Sequence, residues 1–304
     1  LSWREEEEDV SKVSIVIPSR NERFLAPTVR DLLKHGSDIE VLVVLDGYWP
    51  DPPLPKDKRL VQIHHGKWKG MRPGINAAIA CARGDYVMKI DGHCAVPPDF
   101  DKILTEDCDD NWLVVPRRYS LDPEAWKRKI DRPIVDAHYL SYPYARPDDR
   151  TCGLHGDVWR ERAKARHKTL IDDEMSSQGS CWFASRKHWD RLIGPMEIGN
   201  YGTFAQEFQE LGMKTWLSGG RVVVNKKTWY AHLHKGKTYG TGYGFSNAQW
   251  RAWAEEKEVA RLFTIDHWMK NRWTERKHDI DWLIDRFWPV PGWPEDWRTH
   301  RDNS

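Results

Sequence analysis

Asp91 and His93 stand on either side of Gly92 at the end of an apolar run, VMKIDGHC. Side chains two apart in an extended chain point to the same face, so a carboxylate oxygen and an imidazole nitrogen can converge on one ion here. That donor pair, completed by water and phosphate oxygens, suits Mn²⁺ or a similar divalent ion. Such an ion acts as a Lewis acid towards a leaving diphosphate, and Gly92, without a side chain, lets a phosphate or sugar approach the backbone. The same three residues also read as a strand-end aspartate capping a turn beside a packed histidine. Cys94, Cys152, His155 and Cys181 are of zinc-binding type, but no paired Cys-x-x-Cys spacing supports a zinc site.

The surrounding pattern places this dyad at the end of a strand. Val13–Ile17, Val41–Leu45, residues 60–64 and Tyr86–Ile90 are short apolar runs. Between them, residues 24–35 carry Leu25, Val29, Leu32 and Leu33 at helical spacing, and residues 74–83 carry Ile75, Ala78, Ile79 and Ala82. Strands alternating with helices predict an α/β fold with a mostly parallel central sheet flanked by helices. Ligands of such sheets sit beyond the carboxyl ends of the strands, where Pro18–Glu22, Asp46 and Asp91 all fall. Residues 117–175 read as a long, partly helical excursion covering the site. Residues 179–193 read as a strand leading into a helix, 203–217 as a helix, and Val222–Val224 as a strand. The glycine-dense stretch HKGKTYGTGYGFSN (234–247) has the composition of a mobile lid. Residues 248–288 are helical in pattern.

The chain has 304 residues, 39% of them hydrophobic and 31% charged, with a net charge of +1. A polycationic nucleic-acid binder is therefore not indicated globally. Five scattered cysteines favour reduced thiols and a cytoplasmic setting. No apolar run approaches a membrane span, and the acidic run Glu5–Asp9 reads as a solvated tail. Of 18 tryptophans, eight lie after residue 245. They read as packing for a helical C-terminal extension, or as an aromatic platform for sugars or bases. The expected organisation is a tail over 1–11, a catalytic domain over 12–245 and a Trp-rich helical extension over 246–304.

Taken in order, SIVIPSRNE, EVLVVLDG and GMRPGINAAIACARGDYVMKIDGHC resemble the donor-binding half of GT-A glycosyltransferases. The DGHC ending is closest to the Asp-x-His-Cys motif of the polypeptide N-acetylgalactosaminyltransferases. GSCWFASRKHW resembles their GGLFAVSRKYF-type segment, and FAQEFQELGMKTWLSGG their WGGENLEISFRIWQCGG-type motif. The resemblance covers roughly residues 12–245. It implies a GT-A fold, a UDP-sugar donor and a divalent ion, Mn²⁺ or Mg²⁺, held by Asp91, His93 and His232, with His234 as the alternative third ligand. It places Lys235 on the diphosphate, Glu207 on the motif glutamate that orients sugar or acceptor, and Arg72 near base and ribose. Pro18, Arg20, Glu22, Asp46, Gly92, Ser180 and Phe204 would line the donor site, and Tyr239 would lie on the loop that folds over it.

The resemblance thus implies a metal-dependent, retaining glycosyltransferase acting on an acceptor hydroxyl. Phe204, Ala205 and Gln206 replace a Trp-Gly-Gly run on the acceptor side, and no membrane anchor or lectin segment is present in the sequence. Together with Arg/Trp interleaving in QWRAW, HWMKNRW and DWRTHR, these departures lean towards a 5-hydroxymethyl-pyrimidine in phage DNA, in a bacterial or phage-infected cell. Ser/Thr of a polypeptide is the alternative acceptor. A non-catalytic nucleotide-sugar or glycan-binding module is the alternative of another class.

Overall fold

The computed structural model describes residues 12–146, 152–240 and 242–302, so the acidic run Glu5–Asp9 lies outside the described residues. The first half alternates as its apolar runs predict: β1 (Val13–Ser19), α1 (Leu25–His35), β2 (Ile39–Asp46), β3 (Leu60–His65), α2 (Met71–Cys81) and β4 (Tyr86–Ile90). Every residue of β2 is buried and nearly every one of β1. This is why both read as unbroken hydrophobic runs rather than alternating ones. β1 pairs in parallel with β2 on one side and β4 on the other, with Ser19 opposite Leu45 and Val16 opposite Lys89. The strands therefore end in phase, and the polar residues that follow them gather along one edge of the sheet.

The chain continues through β5 (Cys94–Ala95), α3 (Phe100–Glu106), β6 (Trp112–Asp122), β7 (Lys127–Lys129), β8 (His138–Leu140), β9 (Gly156–Val158), α4 (Arg160–Ala165), β10 (Ile171–Asp173) and β11 (Cys181–Ser185). Next come α5 (Arg186–His188), running into a π-turn over Trp189–Ile193, then α6 (Glu207–Leu217), β12 (Arg221–His232), α7 (Gly236–Tyr239), α8 (Asn247–Met269), α9 (Ile280–Phe287) and α10 (Trp297–Asp302). The main sheet runs β10-β12-β6-β11-β4-β1-β2-β3, with β5 paired to β12 and β7 to β6. Only β10 and β11 run against the other strands of that path, which gives a mostly parallel α/β sheet with helices around it.

The excursion over 117–175 differs from expectation. It is built mainly of short strands, with α4 as its helix among the described residues. Arg117–Asp136 (2.7 Å) and Arg166–Asp172 (2.9 Å) tie its segments to one another. β12 is the other surprise. It runs on past an irregularity between Asn225 and Trp229 to reach β5, setting His232 opposite Cys94.

The C-terminal aromatics pack inward. Trp268, Trp273, Trp293 and Trp297 join one core with Trp182 and Trp216. Four of the C-terminal arginines have partners within the protein: Arg272 on Asp266 (2.6 Å), Arg286 on Asp173 (2.5 Å), Arg298 on Asp281 (2.9 Å), and Arg276 on the Trp273 carbonyl (2.6 Å). The guanidinium of Arg298 also covers the Trp297 ring at 4.6 Å. Packing thus explains a pattern that sequence alone allowed to be a DNA-binding face. Among the described residues, no helix is long and apolar enough to cross a membrane.

One buried histidine in this scaffold makes acid sensitivity a property of the fold. His188 is fully buried, and its Nε2 lies 3.0 Å from the Thr215 hydroxyl, which itself donates to the Leu211 carbonyl. Nε2 is therefore the protonated nitrogen, and Nδ1 has no partner. Burial, reinforced by the charge of Arg191, pushes the pKa down to about 4. The unfolded chain binds this proton near pH 6.5 and the folded chain does not, so stability is full above pH 6.5 and falls as pH drops towards 4. Between pH 7 and pH 5 this group contributes a loss of about 2 kcal/mol. Urea unfolding at the two pH values should show His188→Gln losing about that much less than the wild type. Parallel pH dependences would contradict it.

Candidate active site

A cleft of about 830 Å³ opens at the carboxyl edge of the sheet. Its walls come from strand ends and the segments that follow them: Pro18 and Ser19 at the end of β1 with Arg20 and Glu22 after it, Asp46 at the end of β2, Asp91 and His93 after β4, and His232 at the end of β12 with His234 and Lys235 after it. The N-terminus of α6 supplies Phe204, Gln206 and Glu207 from the other side, and the segment before β11 supplies Gln178, Gly179 and Ser180. A second hollow, over the Pro-rich loop at Trp49–Lys58, holds none of these side chains.

Ligand atoms of Asp91, His93 and His232 lie within 4.8 Å of one another, the one such group of three among the described residues. The Asp91 carboxylate is divided between two tasks. Its Oδ1 accepts from Lys89 Nζ at 2.7 Å, while Oδ2 lies 3.2 Å from His232 Nε2 and 3.8 Å from His93 Nε2. Burial alone would raise the Asp91 pKa, but Lys89 and His232 outweigh it and hold the carboxyl well below the usual range. Burial also pushes His232 down to about 4, so its imidazole is neutral at pH 7 and has a lone pair to offer. His93 Nδ1 sits 3.1 Å from Glu22 Oε2. Glu22 is ionised: burial opposes this, but His93 and Lys235 lower its pKa. Nδ1 of His93 therefore donates to Glu22, and Nε2 is the ring nitrogen that faces Asp91. One carboxylate oxygen and two imidazoles, of Asp91, His93 and His232, at one point fit a divalent transition ion such as Mn²⁺. His234 packs edge-on against His232 at 5.0 Å and lines the cleft, but is not part of the converging group.

Lys89 holds the floor of the cleft and was not singled out from sequence. It is 1% exposed, and its three N–H bonds meet three acceptors: Asp91 Oδ1, Glu207 Oε2 (3.2 Å) and the Gly179 carbonyl. Burial would lower its pKa, but the carboxylates of Asp91 and Glu207 raise it above the usual lysine value. Glu207 also accepts from Trp182 Nε1 at 2.7 Å. Burial raises its pKa, with Lys89 opposing. A Cβ on Gly179 would meet Glu207 Oε2 at 2.4 Å, so a glycine is needed for the carboxylate to sit there.

The remaining expected residues divide into those the cleft uses and those it does not. Asp46 accepts from the backbone N–H groups of Lys69 (2.7 Å) and Gly70 (2.9 Å), shaping the turn into α2. Arg20 lies between the rings of Tyr48 and Phe245 and donates to the carbonyls of Asp46 and Tyr243. Ser180 shares a hydrogen bond with Tyr230 (2.7 Å), and Phe204 packs on Trp253. Lys235 pairs with Glu22 at 2.6 Å.

Three expected residues are turned elsewhere. Arg72 is fully buried, bound to Glu210 (2.5 Å) and to the carbonyls of Ala205 and Glu197. Its neighbour Met71 lines the cleft instead, because one residue along a helix turns the side chain by about 100°. A Cβ on Gly92 would meet Glu22 Cγ at 3.1 Å and Leu25 Cδ1 at 3.3 Å, so this glycine serves packing behind the site rather than approach of a ligand. Tyr239 packs on Phe24 at 5.4 Å, and Tyr243 lines the cleft in its stead. Trp68, Phe245, Trp253, His155 and Asp157 also line it; none was placed at the donor site from sequence, since Trp253 comes from α8, Asp157 from β9 and the others from connections that the fold brings in.

Residues 14–188 match the model of glycosyl transferase family 2. A stretch of 110 residues is 34% identical to an uncharacterized glycosyltransferase, EpsJ, of Bacillus subtilis (strain 168), covering 33% of this chain and 31% of that protein. Among solved structures, GalNAc-T7 with UDP, GalNAc and Mn²⁺ is similar with a TM-score of 0.60 at 12% identity, over 97% of this chain and 56% of the other. The mannosyltransferase PcManGT from Pyrobaculum calidifontis, in complex with GDP-Man and Mn²⁺, has a TM-score of 0.47 at 14% identity, over 88% and 66%. The likeness to GalNAc-T7 is one of fold, and the chain spans about half of that protein and a third of the curated relative.

Proposed function

The chain belongs to glycosyl transferase family 2, and on that premise we propose that it moves a sugar from a UDP-sugar to an acceptor hydroxyl, using a divalent ion held by Asp91, His93 and His232. The observation that carries this reading is the meeting of one carboxylate oxygen and two imidazoles at the strand ends of a GT-A-like sheet. When bound, the ion supplies Lewis-acid charge for the leaving diphosphate. Lys235, released from Glu22, adds a second positive charge on the same side. Glu22 fixes the tautomer of His93, and Asp46 and Arg20 shape the wall where the nucleoside lies. Glu207 orients the sugar rather than attacking it, because its oxygens already accept from Trp182 and Lys89. Retention is what the resemblance to the polypeptide N-acetylgalactosaminyltransferases implies for this step. The acceptor oxygen bonds to the anomeric carbon on the face that the phosphate oxygen leaves, and the acceptor proton passes to that oxygen.

The acceptor's reactive group is a hydroxyl, and the hydrogen-bonding side chains of His155, Asp157, Gln178 and Gln206 at one end of the cleft suit one. Since Arg272, Arg276, Arg286 and Arg298 have partners within the protein, they do not by themselves favour DNA over a peptide as its carrier. Salt separates the two: transfer to hydroxymethylated DNA falls steeply as salt rises, and transfer to Ser/Thr peptides does not.

The reading is tested by chelation and by nucleotide competition. EDTA should stop both transfer and slow UDP-sugar hydrolysis, Mn²⁺ should restore them, and UDP should inhibit more tightly than GDP. Activity unchanged by chelation would remove the metal, and tighter inhibition by GDP would change the donor. A protein that binds UDP-sugar without transfer or hydrolysis would be a binding module instead.

A further inference from the structure

A lysine in the middle of a core strand needs a reason. Lys89 lies in β4 among Val87, Met88 and Ile90, all of them buried, and faces Trp182 across the sheet. Burying an ammonium is costly unless charge and hydrogen bonds compensate it. Here the compensation is complete, since three N–H donors meet three acceptors on three parts of the chain. Those parts are the end of β4, the segment before β11 and the first residue of α6. At 1% exposure, Lys89 is too enclosed to serve as a group that a diphosphate would seek out.

Its effect on Asp91 is selective. Lys89 takes Oδ1 at 2.7 Å and turns Oδ2 towards the two histidines. A carboxylate fixed in this way offers one oxygen, not two. We propose that Lys89 is a positioning residue that sets metal preference: by occupying Oδ1 of Asp91, it restricts the carboxylate to a single ligand oxygen and so favours Mn²⁺ over Ca²⁺. Ca²⁺ takes six to eight oxygen ligands and readily uses a carboxylate through both oxygens. Mn²⁺ accepts a smaller mixed set of oxygen and imidazole nitrogen. The inference rests on the metal reading above, but concerns a residue that reading does not use.

The test is a ratio. Mn²⁺ and Ca²⁺ carry the same charge, so removing a nearby cation shifts both affinities alike, and only a change in coordination shifts their quotient. Mn²⁺ binding to the whole chain is followed by electron paramagnetic resonance, with Ca²⁺ as competitor and no nucleotide present. The wild type should prefer Mn²⁺ by at least ~100-fold. In Lys89→Met that preference should shrink by at least ~10-fold, the scale on which groups behind a ligand act. Because that change leaves two buried carboxylates facing each other, Lys89→Met with Glu207→Gln is measured beside it and should show the same loss. A preference kept within about twofold in a folded variant overturns the proposal. So does a wild type that binds Ca²⁺ as tightly as Mn²⁺, whatever the variants do. A wild type that binds neither ion without nucleotide overturns the proposal, and one that binds neither with UDP added removes the metal reading as well.

Discussion

His232→Ala is expected to lose at least ~10³-fold in transfer rate, while His234→Ala stays within about tenfold of the wild type. The size follows from the Lewis-acid charge that a lost ligand removes, several kcal/mol of barrier, with each factor of ten equal to about 1.4 kcal/mol. The contrast follows from geometry. Nε2 of His232 lies 3.2 Å from Asp91 Oδ2, whereas His234 packs against the outer side of the His232 ring. Both imidazoles are held neutral by burial, so protonation state does not distinguish them and position does. Steady-state rates at saturating Mn²⁺, with Mn²⁺ affinity measured alongside, check this. The reverse result, a dead His234→Ala and an active His232→Ala, would mean that the end of β12 holds the ion two residues further on.

Arg72→Met is expected to destabilise the fold by about 3 kcal/mol and to leave nucleotide binding nearly unchanged. Removing one partner of a buried pair costs about 3–5 kcal/mol because the other charge is left without its counterion. The lower end applies because Lys214 still reaches Glu210 at 2.7 Å. The change also takes the guanidinium from the Ala205 and Glu197 carbonyls and from the face of Tyr201 at 4.3 Å. For a chain of this size the melting temperature should drop on the order of 5 °C. UDP inhibition of the molecules that remain folded should change less than about threefold. An unchanged melting temperature with UDP inhibition weakened tenfold would return Arg72 to the nucleotide wall.

What could be read from the sequence was whatever depends on local period. β1, β2 and β4 are apolar runs, α1 and α2 carry helical spacing, and the residues after each strand fall at one edge because parallel strands end together. The Asp91–His93 dyad was legible for the same reason. Lys89 had a signal too: it stands two residues before Asp91, on the same face of the strand, and a lysine inside VMKI is out of place in a core. Reading the run as simply hydrophobic passed over it. Arg72 was misplaced by one step of a helix, which is below what a motif can resolve. Tyr243, Trp253, His155 and Asp157 had no local pattern to place them at the cleft, since they come from separate stretches, among them α8 and β9, that meet the sheet edge only in the folded chain.

The short pairing of β5 with β12, which sets His232 opposite Cys94, makes assembly of the site a late event in the life of the chain. Asp91 and His232 are 141 residues apart in sequence. A ribosome has therefore released the first two ligands long before the third exists, and β12 must thread in beside β6 before the two ends meet. Closing contacts of such separation is slow. On the proposed metal reading, a nascent or partly folded chain thus presents a carboxylate and one imidazole, and the third donor arrives only with β12.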